Sequence, residues 1–379
     1  RRKVLMEFYL RREEIDDRTL YVSGNFNDWN PRDPNYVLEK DEKIEDLYFI
    51  EINDENLPEN IEFKFTKGGW ESVEIDRYGN VTPNRKIEKS EKTSQNSVEK
   101  WRLNWGPFKK EFFPIVELIS EKFFMPQLNK SRKVWALLPF DYHKTDKEYP
   151  VLYLQDAQNL FNEGSEFGNW EIDKKLSILS EYGRGDIIII AIENGKDDRI
   201  KEYILDKSSL TDNAEGKKYI RFVTDTLKPY VDSVYRTKQE REFTGIGGSS
   251  LGALISIYGG FLYPEVYSKL LIFSPSLWLN PENNFQLLNF SNHYKTKVYL
   301  YGGEKEGSKM VERIHLFEDA LMNWEKTQSL DFETKVSINS EGEHNEFYWS
   351  QEFPRAMEWL FFDSKEDPTK IAKKEIAEN

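Results

Sequence analysis

Residues 242–258 read Glu-Phe-Thr-Gly-Ile-Gly-Gly-Ser-Ser-Leu-Gly-Ala-Leu-Ile-Ser-Ile-Tyr, and this stretch decides the fold prediction. Glu242–Gly247 is typical of a strand, and Leu251–Tyr258 has the apolar spacing of a helix. Between them, Gly248–Gly252 is the only Gly-x-Ser-x-Gly pattern in the chain. Glycines permit a tight strand-to-helix turn, which exposes the Ser250 hydroxyl and aims helix N–H groups at a developing oxyanion. We therefore expect a nucleophilic serine; the alternative is a Gly- and Ser-rich turn without chemistry.

Apolar strand segments alternate with helical segments on both sides of this turn. Strands are predicted at Lys133–Pro139, Pro150–Leu154, Asp186–Ile192, Glu242–Gly247, Lys269–Phe273, Lys297–Tyr301 and Thr334–Ile338. Helices are predicted at Lys217–Val234 and Met310–Lys326, among others. The alternation indicates an α/β fold with a mostly parallel sheet flanked by helices on both faces. Together with the serine turn it is typical of an α/β-hydrolase, which we place at residues 126–365.

The general base can be chosen by position because the chain has four histidines. In α/β-hydrolases the chain order is serine, acid, histidine, and the histidine follows the last strand. His143 precedes the serine, His293 lies in a polar turn before a strand, and His315 lies in a helical segment. His344 alone follows the last predicted strand, so His344 is the predicted base. The alternative is an ordinary exposed loop histidine.

The acid of such a site is expected after the strand that precedes the histidine's strand. The loop following Lys297–Tyr301 contains two carboxylates, Glu304 and Glu306. Either one would hold the imidazole tautomer and stabilise the imidazolium. The residues themselves do not distinguish the two.

Four separate segments resemble the esterase-D-like family of esterases. They are 149–161 (Tyr-Pro-Val-Leu-Tyr-Leu-Gln-Asp-Ala-Gln-Asn-Leu-Phe), 247–254 (Gly-Gly-Ser-Ser-Leu-Gly-Ala-Leu), 274–278 (Ser-Pro-Ser-Leu-Trp) and 341–346 (Glu-Gly-Glu-His-Asn-Glu). The family includes feruloyl and acetyl-xylan esterases, siderophore esterases and S-formylglutathione hydrolase. The resemblance extends over about residues 124–362.

This resemblance implies a serine carboxyl-ester hydrolase that works through an acyl-enzyme. Ser250 would be the nucleophile, His344 the base and Glu306 the acid, where many members have Asp. The expected substrates are carbohydrate-linked acetyl or feruloyl esters; the alternatives are siderophore esters of the enterobactin type and thioesters. A catalytically silent carbohydrate-binding protein is an alternative of another class, which the intact serine, acid and histidine disfavour.

The same resemblance places the oxyanion-binding groups. They would be the backbone N–H of Leu251 and one from Ala157 or Gln158, with Ala157 standing where many relatives have Gly. Trp278 follows the carboxyl end of a strand, where open α/β sheets bind ligands. We therefore expect Trp278 to line the substrate pocket together with Asp156; the alternative for Trp278 is a place in the packed core.

Residues 1–95 predict a β-sandwich, because short strands and polar turns follow one another at about 8–12-residue spacing. Segments 24–31, 63–71 and 83–85 resemble starch- and glycogen-binding modules. In those modules two tryptophans stack on an α-glucan while a lysine and an asparagine bind hydroxyl groups. The matching residues are Trp29, Trp70, Lys64 and Asn84. The alternative is that both tryptophans pack in a core or against the other domain, and the module is structural.

The remaining segments are polar or charged. Residues 87–98 are typical of a linker, and Pro107–Ser120 indicates a short bridging helix. Residues 96–125 are therefore assigned to a linker and bridging helix, and residues 366–379 to a charged tail.

Composition excludes several classes of function. The net charge of −14 argues against nucleic acid or an anionic membrane as partner. The lack of Cys rules out thiol chemistry and disulfides. No cofactor or metal is expected, since there is no Walker-type loop and no histidine pair at metal spacing. No apolar segment approaches the roughly 20 residues that span a bilayer.

The expected partner is a small-molecule or glycan ester. A periplasmic or secreted location is expected if a signal peptide has been removed, and a cytoplasmic one otherwise.

Overall fold

The computed structural model of the chain describes residues 5–12, 16–102 and 108–362. The chain divides into two compact units, residues 1–109 and 110–379. The predicted charged tail at 366–379 lies outside the described residues, as does Pro107 at the start of the predicted bridging helix.

The N-terminal unit is built from short strands. They are β1 (Leu5–Arg12), β2 (Tyr21–Gly24), β3 (Glu39–Lys40), β4 (Leu47–Asn53), β5 (Asn60–Thr66), β6 (Glu74–Ile75), β7 (Arg85–Glu88), β8 (Thr93–Val98) and β9 (Lys100–Trp101). One sheet has the order β3-β4-β1-β8 and another β2-β5-β7, while β6 pairs with β9. The two larger sheets share one apolar core, in which the rings of Phe8 and Phe63 meet edge to face at 5.0 Å. The prediction of an N-terminal β domain is thereby confirmed.

The linker predicted within residues 87–98 is wrong. Arg85–Glu88 pairs with β5, and Thr93–Val98 pairs in parallel with β1. Both strands lie at the edge of their sheets, and most of their side chains are exposed or half-buried. Polar composition is ordinary for such edge strands, and it hid them in the sequence.

The C-terminal unit contains one eight-stranded sheet. Its strands are β10 (Ile115–Met125), β11 (Lys130–Leu138), β12 (Val151–Gln155), β13 (Ile188–Ile192), β14 (Thr244–Ser249), β15 (Lys269–Phe273), β16 (Lys295–Gly303) and β17 (Asp331–Asn339). The order is β10-β11-β13-β12-β14-β15-β16-β17. The strands from β12 to β17 run parallel, and β10 and β11 are antiparallel. The predicted mostly parallel sheet is confirmed.

Helices flank this sheet. They are α1 (Ile172–Glu181), α2 (Arg199–Glu202), α3 (Gly216–Phe222), α4 (Lys228–Val234), α5 (Leu251–Leu262), α6 (Met310–Gln328) and α7 (Glu346–Phe361). A π-helical turn, Val223–Leu227, joins α3 to α4, so the helix predicted at Lys217–Val234 is continuous. None of the described helices is both long and apolar enough to cross a membrane.

The middle of the sheet is the most apolar part of the unit. β12 and β13 are buried along their whole length, as expected for parallel strands covered by helices on both faces. β14 is also fully buried, although it contains three glycines. The carboxyl ends of β12 and β14–β17 lie at one edge of the sheet, because these strands run parallel.

The bridging helix predicted at Pro107–Ser120 is wrong. Ile115–Met125 forms β10, which pairs antiparallel with β11, so the sheet begins before the predicted domain start at 126. The register shifts twice along β10, between Leu118 and Ser120 and between Ser120 and Phe123. Such bulges break the two-residue alternation of a strand, and the apolar residues then recur at mixed spacings that imitate a helix.

Candidate active site

Ser250 occupies a sharp turn between β14 and α5. Its backbone has φ 57° and ψ −121°, a conformation that costs energy for any residue other than glycine. The turn is tight because side chains are absent beside it. A Cβ on Gly248 would lie 2.8 Å from the carbonyl carbon of Gly252, and one on Gly252 would lie 2.9 Å from Asp156 Oδ2. The two glycines of the Gly-x-Ser-x-Gly pattern therefore meet a steric requirement.

The Ser250 hydroxyl lies beside a second serine. Ser250 Oγ is 3.3 Å from Ser276 Oγ, and the Ser276 N–H donates to the Ser250 carbonyl at 3.2 Å. Among the described residues no hydrogen bond joins Ser250 Oγ to His344. Catalytic hydrogen bonds are often long in the absence of substrate and tighten in the complex.

His344 and Glu306 form a close pair. His344 Nδ1 is 2.7 Å from Glu306 Oε2, and the Glu306 side chain is fully buried while that of His344 is 40% exposed. Because a carboxylate only accepts, this contact requires the proton on Nδ1 and leaves Nε2 free to accept one. The indole of Trp349 packs edge to face on the imidazole, at 5.0 Å between ring centroids.

The structure separates the two candidate acids. Glu304 and Glu306 share one short 3-10 turn after β16, but Glu304 is exposed and makes no hydrogen bond to a described residue. Glu306 is the one brought to His344. Of the other histidines, His315 lies on the exposed face of α6 with its Nδ1 3.2 Å from Glu318.

The turn after β12 adjoins the serine turn, since β12 and β14 are neighbours in the sheet. Asp156 has left-handed backbone angles, φ 61° and ψ 49°, and a 3-10 turn, Ala157–Asn159, follows it. The N–H groups of Leu251, Ala157 and Gln158 donate to no residue in the described ranges. Leu251 and Ala157 are themselves buried, and Gln158 is half-buried.

Asp156 itself is placed inside the protein. It is 4% exposed, and its carboxylate accepts from Arg199 Nε at 2.7 Å, Arg199 Nη2 at 2.9 Å and Asn194 Nδ2 at 2.8 Å. The Gln158 side chain is tied to the same loop, because its Oε1 accepts from the Asn194 N–H at 2.9 Å. Asp156, predicted to line the substrate pocket, is buried and supports the turn through these contacts.

Arg199 and Asn194 were not anticipated from the sequence. Burial lowers the pKa of the Arg199 guanidinium, but the neighbouring Asp156 carboxylate outweighs this and holds the pKa above its ordinary value. The pair joins residues 43 positions apart, and no local pattern marks such a contact.

Replacing Arg199 with Met should lower the unfolding free energy of the protein and the rate of ester hydrolysis. The change leaves the buried Asp156 carboxylate unpaired. We expect a loss of about 2–3 kcal/mol in unfolding free energy, below the roughly 3–5 kcal/mol of a fully buried pair because Arg199 is partly exposed. Urea unfolding measures this. The control is Arg221→Met. The ion pair of Arg221 with Asp225 is exposed, so its loss should lower the unfolding free energy by less than about 1 kcal/mol. Equal stability of the two variants would contradict the supporting role.

Trp278 lies at the surface of the C-terminal unit. It is 43% exposed, in a short helical turn, Leu277–Leu279, and comes two residues after Ser276. The Trp278 side chain is therefore not part of the packed core.

Two cavities bear on the location of the site in the described part of the C-terminal unit. One of about 180 Å³ runs along α5 and is lined by Leu254, Tyr258, Leu279 and Asn280 among others. Leu254 is one helical turn from Ser250 along α5, but Ser250 is not among the residues that line this cavity. A larger cleft of about 860 Å³ lies at the amino ends of the strands, the opposite edge of the sheet, and is set apart from these residues.

Residues 5–12, 16–102 and 108–362 hold no cluster of three acidic or histidine side chains suited to a metal ion.

In the N-terminal unit the two predicted stacking residues meet. The indoles of Trp29 and Trp70 are 6.3 Å apart and inclined at 46°; Trp70 is 38% exposed and Trp29 half-buried. Lys64 is buried and donates to the Thr82 carbonyl, and burial lowers its pKa. Asn84 Nδ2 donates to a glutamate of β5 at 3.1 Å. Lys64 and Asn84 are therefore engaged within the protein.

Comparison with known proteins points to one family. A family model described as "Putative esterase" matches residues 126–360. The chain is similar to the uncharacterized protein YbbA of Bacillus subtilis (strain 168), 24% identical, over 61% of this chain and 93% of that protein. It is also similar to an acetyl esterase of Caldicellulosiruptor saccharolyticus, 21% identical, over 64% and 97%. The solved structure of the BES protein from Bacillus cereus, 17% identical, covers 65% of this chain and 94% of its own with a TM-score of 0.52.

Proposed function

We propose that this chain, which belongs to the "Putative esterase" family and is a carboxylic ester hydrolase, cleaves esters with a triad of Ser250, His344 and Glu306. The proposed substrates are carbohydrate-linked acetyl or feruloyl esters. The single observation that carries the triad is the 2.7 Å contact between His344 Nδ1 and Glu306 Oε2, at the sheet edge that also presents Ser250.

The order of the strands supports this assignment. β14, β15, β16 and β17 are consecutive parallel neighbours. Ser250 follows β14, Glu306 follows β16, and His344 follows β17. The carboxyl ends of neighbouring parallel strands lie at one edge, where ligands of open α/β sheets bind.

The proposed mechanism is acyl transfer in two steps. His344 Nε2 removes the proton of Ser250 Oγ as the oxygen attacks the ester carbonyl, and Glu306 stabilises the imidazolium. The N–H groups of Leu251 and of Ala157 or Gln158 bind the oxyanion of the tetrahedral intermediate. The imidazolium then protonates the departing alkoxide, which leaves as the alcohol. Water, activated by the same imidazole, releases the acid from the acyl-enzyme.

The proposed substrate class rests on the surroundings of Ser250 and on one relative. Trp278 offers an exposed indole two residues after Ser276, whose hydroxyl lies 3.3 Å from Ser250 Oγ, and an indole suits stacking on a sugar or a feruloyl ring. The cavity along α5 has room for a small acyl group. The similar protein of Caldicellulosiruptor saccharolyticus is named an acetyl esterase.

A panel of esters tests both the mechanism and the substrate class. It comprises nitrophenyl acetate, an acetylated xylo-oligosaccharide, a feruloylated sugar, an enterobactin-type trilactone and a thioester, each with wild type and Ser250→Ala. We expect the highest kcat/KM on an acetylated or feruloylated sugar, and fluorophosphonate labelling of the wild type alone. Preference for the trilactone or thioester would overturn the substrate class, and absence of both labelling and turnover would overturn the esterase mechanism.

We also propose that the N-terminal unit binds glycan through Trp29 and Trp70. In the full chain, a xylo- or malto-oligosaccharide should change the tryptophan fluorescence saturably. Trp70→Ala should weaken binding by about tenfold or more, because an exposed indole is a typical binding anchor. The control Phe124→Ala removes an exposed aromatic from β10 and should leave binding intact. A titration without response to either glycan would make the module structural.

A further inference from the structure

The two oxygens of the buried Glu306 carboxylate have different partners. Oε2 faces His344, and Oε1 accepts from the Ser274 hydroxyl at 2.6 Å and from the Gly303 N–H at 2.7 Å. Two donors on one oxygen fix the orientation of the carboxylate. The acid is thus held from the side that faces away from the base.

The Ser274 hydroxyl has its direction set by a second neighbour. Ser274 Oγ accepts from the Trp349 indole N–H at 2.8 Å. An indole N–H only donates, so the Ser274 proton must point to Glu306. Ser274 is completely buried, and its N–H donates to the Tyr301 carbonyl at 2.7 Å. Its backbone has φ 46°, an uncommon value for a residue other than glycine, which the surrounding contacts hold in place.

This geometry matches the length of a glutamate. An aspartate at 306 is shorter by one carbon–carbon bond, about 1.5 Å. A carboxylate drawn back by that length cannot keep hydrogen-bond distance to Ser274 Oγ, Gly303 N and His344 Nδ1 together. The contacts of this site therefore fit a glutamate at position 306.

We infer that Ser274, oriented by the Trp349 N–H, is a positioning residue that holds Glu306 against His344 and restricts the acid of this site to glutamate. The inference rests on the proposed triad. Ser274 touches neither the nucleophile's proton nor the imidazole, and it acts through Glu306.

A double-mutant cycle between Ser274→Ala and Glu306→Asp tests the inference. Ser274→Ala should lower kcat about 10- to 100-fold with KM within about twofold, since a hydrogen bond to a buried charge is lost. Glu306→Asp should cause a loss of similar size. In the Glu306→Asp background, Ser274→Ala should add less than about twofold, because the shorter acid has already left Ser274. Independent, multiplying losses would overturn the inference.

A milder variant keeps the test decisive if Ser274→Ala does not fold. Trp349→Phe retains an aromatic ring against His344 and removes the N–H that orients Ser274. It should lower kcat several-fold and move the downfield proton resonance of the His344–Glu306 hydrogen bond, which is assigned by its loss in His344→Ala. The matched control is Trp135→Phe on β11. It removes an indole N–H that donates to Glu193 at 3.4 Å and should change neither kcat nor the resonance. An unmoved resonance and normal kcat in Trp349→Phe would overturn the inference.

The outcomes separate this inference from the proposed function. If Ser250→Ala is inactive while Ser274→Ala and Trp349→Phe match wild type, the triad stands and the role of Ser274 fails. If Ser250→Ala retains full turnover, the triad fails first. Thermal melting of each variant, with Ser23→Ala as a control for loss of a buried hydroxyl in the other unit, separates misfolding from a catalytic loss.

Discussion

Ser250→Ala should lower kcat for ester hydrolysis by about 10⁴- to 10⁶-fold and leave the fold intact. The variant has no oxygen to attack the carbonyl, so no acyl-enzyme forms. Alanine adds no steric burden at φ 57°, because serine already carries a Cβ in that backbone conformation. Circular dichroism and thermal melting should match wild type.

Two further variants complete this test. Ser249→Ala removes a neighbouring hydroxyl at the end of β14 and should keep kcat within about tenfold of wild type. His344→Ala should be nearly as inactive as Ser250→Ala, and the double variant hardly worse than either, since the groups act as a unit. A well-folded Ser250→Ala protein with near-normal kcat would remove the nucleophile from the mechanism.

Glu306→Gln is expected to lower kcat about 10²- to 10⁴-fold. The amide has nearly the shape of the carboxylate, but it lacks the charge that stabilises the imidazolium. It can also donate to the imidazole and so favour the wrong tautomer. Steady-state kinetics on the preferred ester of the panel measures the loss.

Glu304→Gln is the matched control for this change. Glu304 lies in the same turn and is exposed, and removing its charge should alter kcat by less than about twofold. A greater loss in Glu304→Gln than in Glu306→Gln would transfer the acid to Glu304 and leave the serine and histidine in place.

Local sequence patterns were sufficient for the serine turn. The steric demand of a tight strand-to-helix turn selects glycines at 248 and 252, and buried strands and amphipathic helices surround it. His344 followed from chain order, since four histidines leave few choices. The choice between the two candidate acids needed the structure, because two glutamates in one turn are equivalent in the sequence until their side chains are placed. Only Glu306 enters the protein.

The residues that support these groups were beyond local patterns. Ser274 and Trp349 are 75 positions apart, and Asp156 and Arg199 are 43 apart. A hydrogen bond over such a distance depends on the strand order, which one sequence does not specify. The errors at β7, β8 and β10 have a related cause, since the polar edge strands and the bulged strand take their structure from pairing partners.

The order of β14 to β17 also bears on how the enzyme is made. A ribosome delivers Ser250 long before His344, and β17, the strand that carries His344 to its place, pairs only with β16. In the proposed triad, a growing chain therefore holds the nucleophile without its base until His344 has been synthesised. We expect a chain truncated before β17 to lack the proposed triad and therefore to hydrolyse no ester.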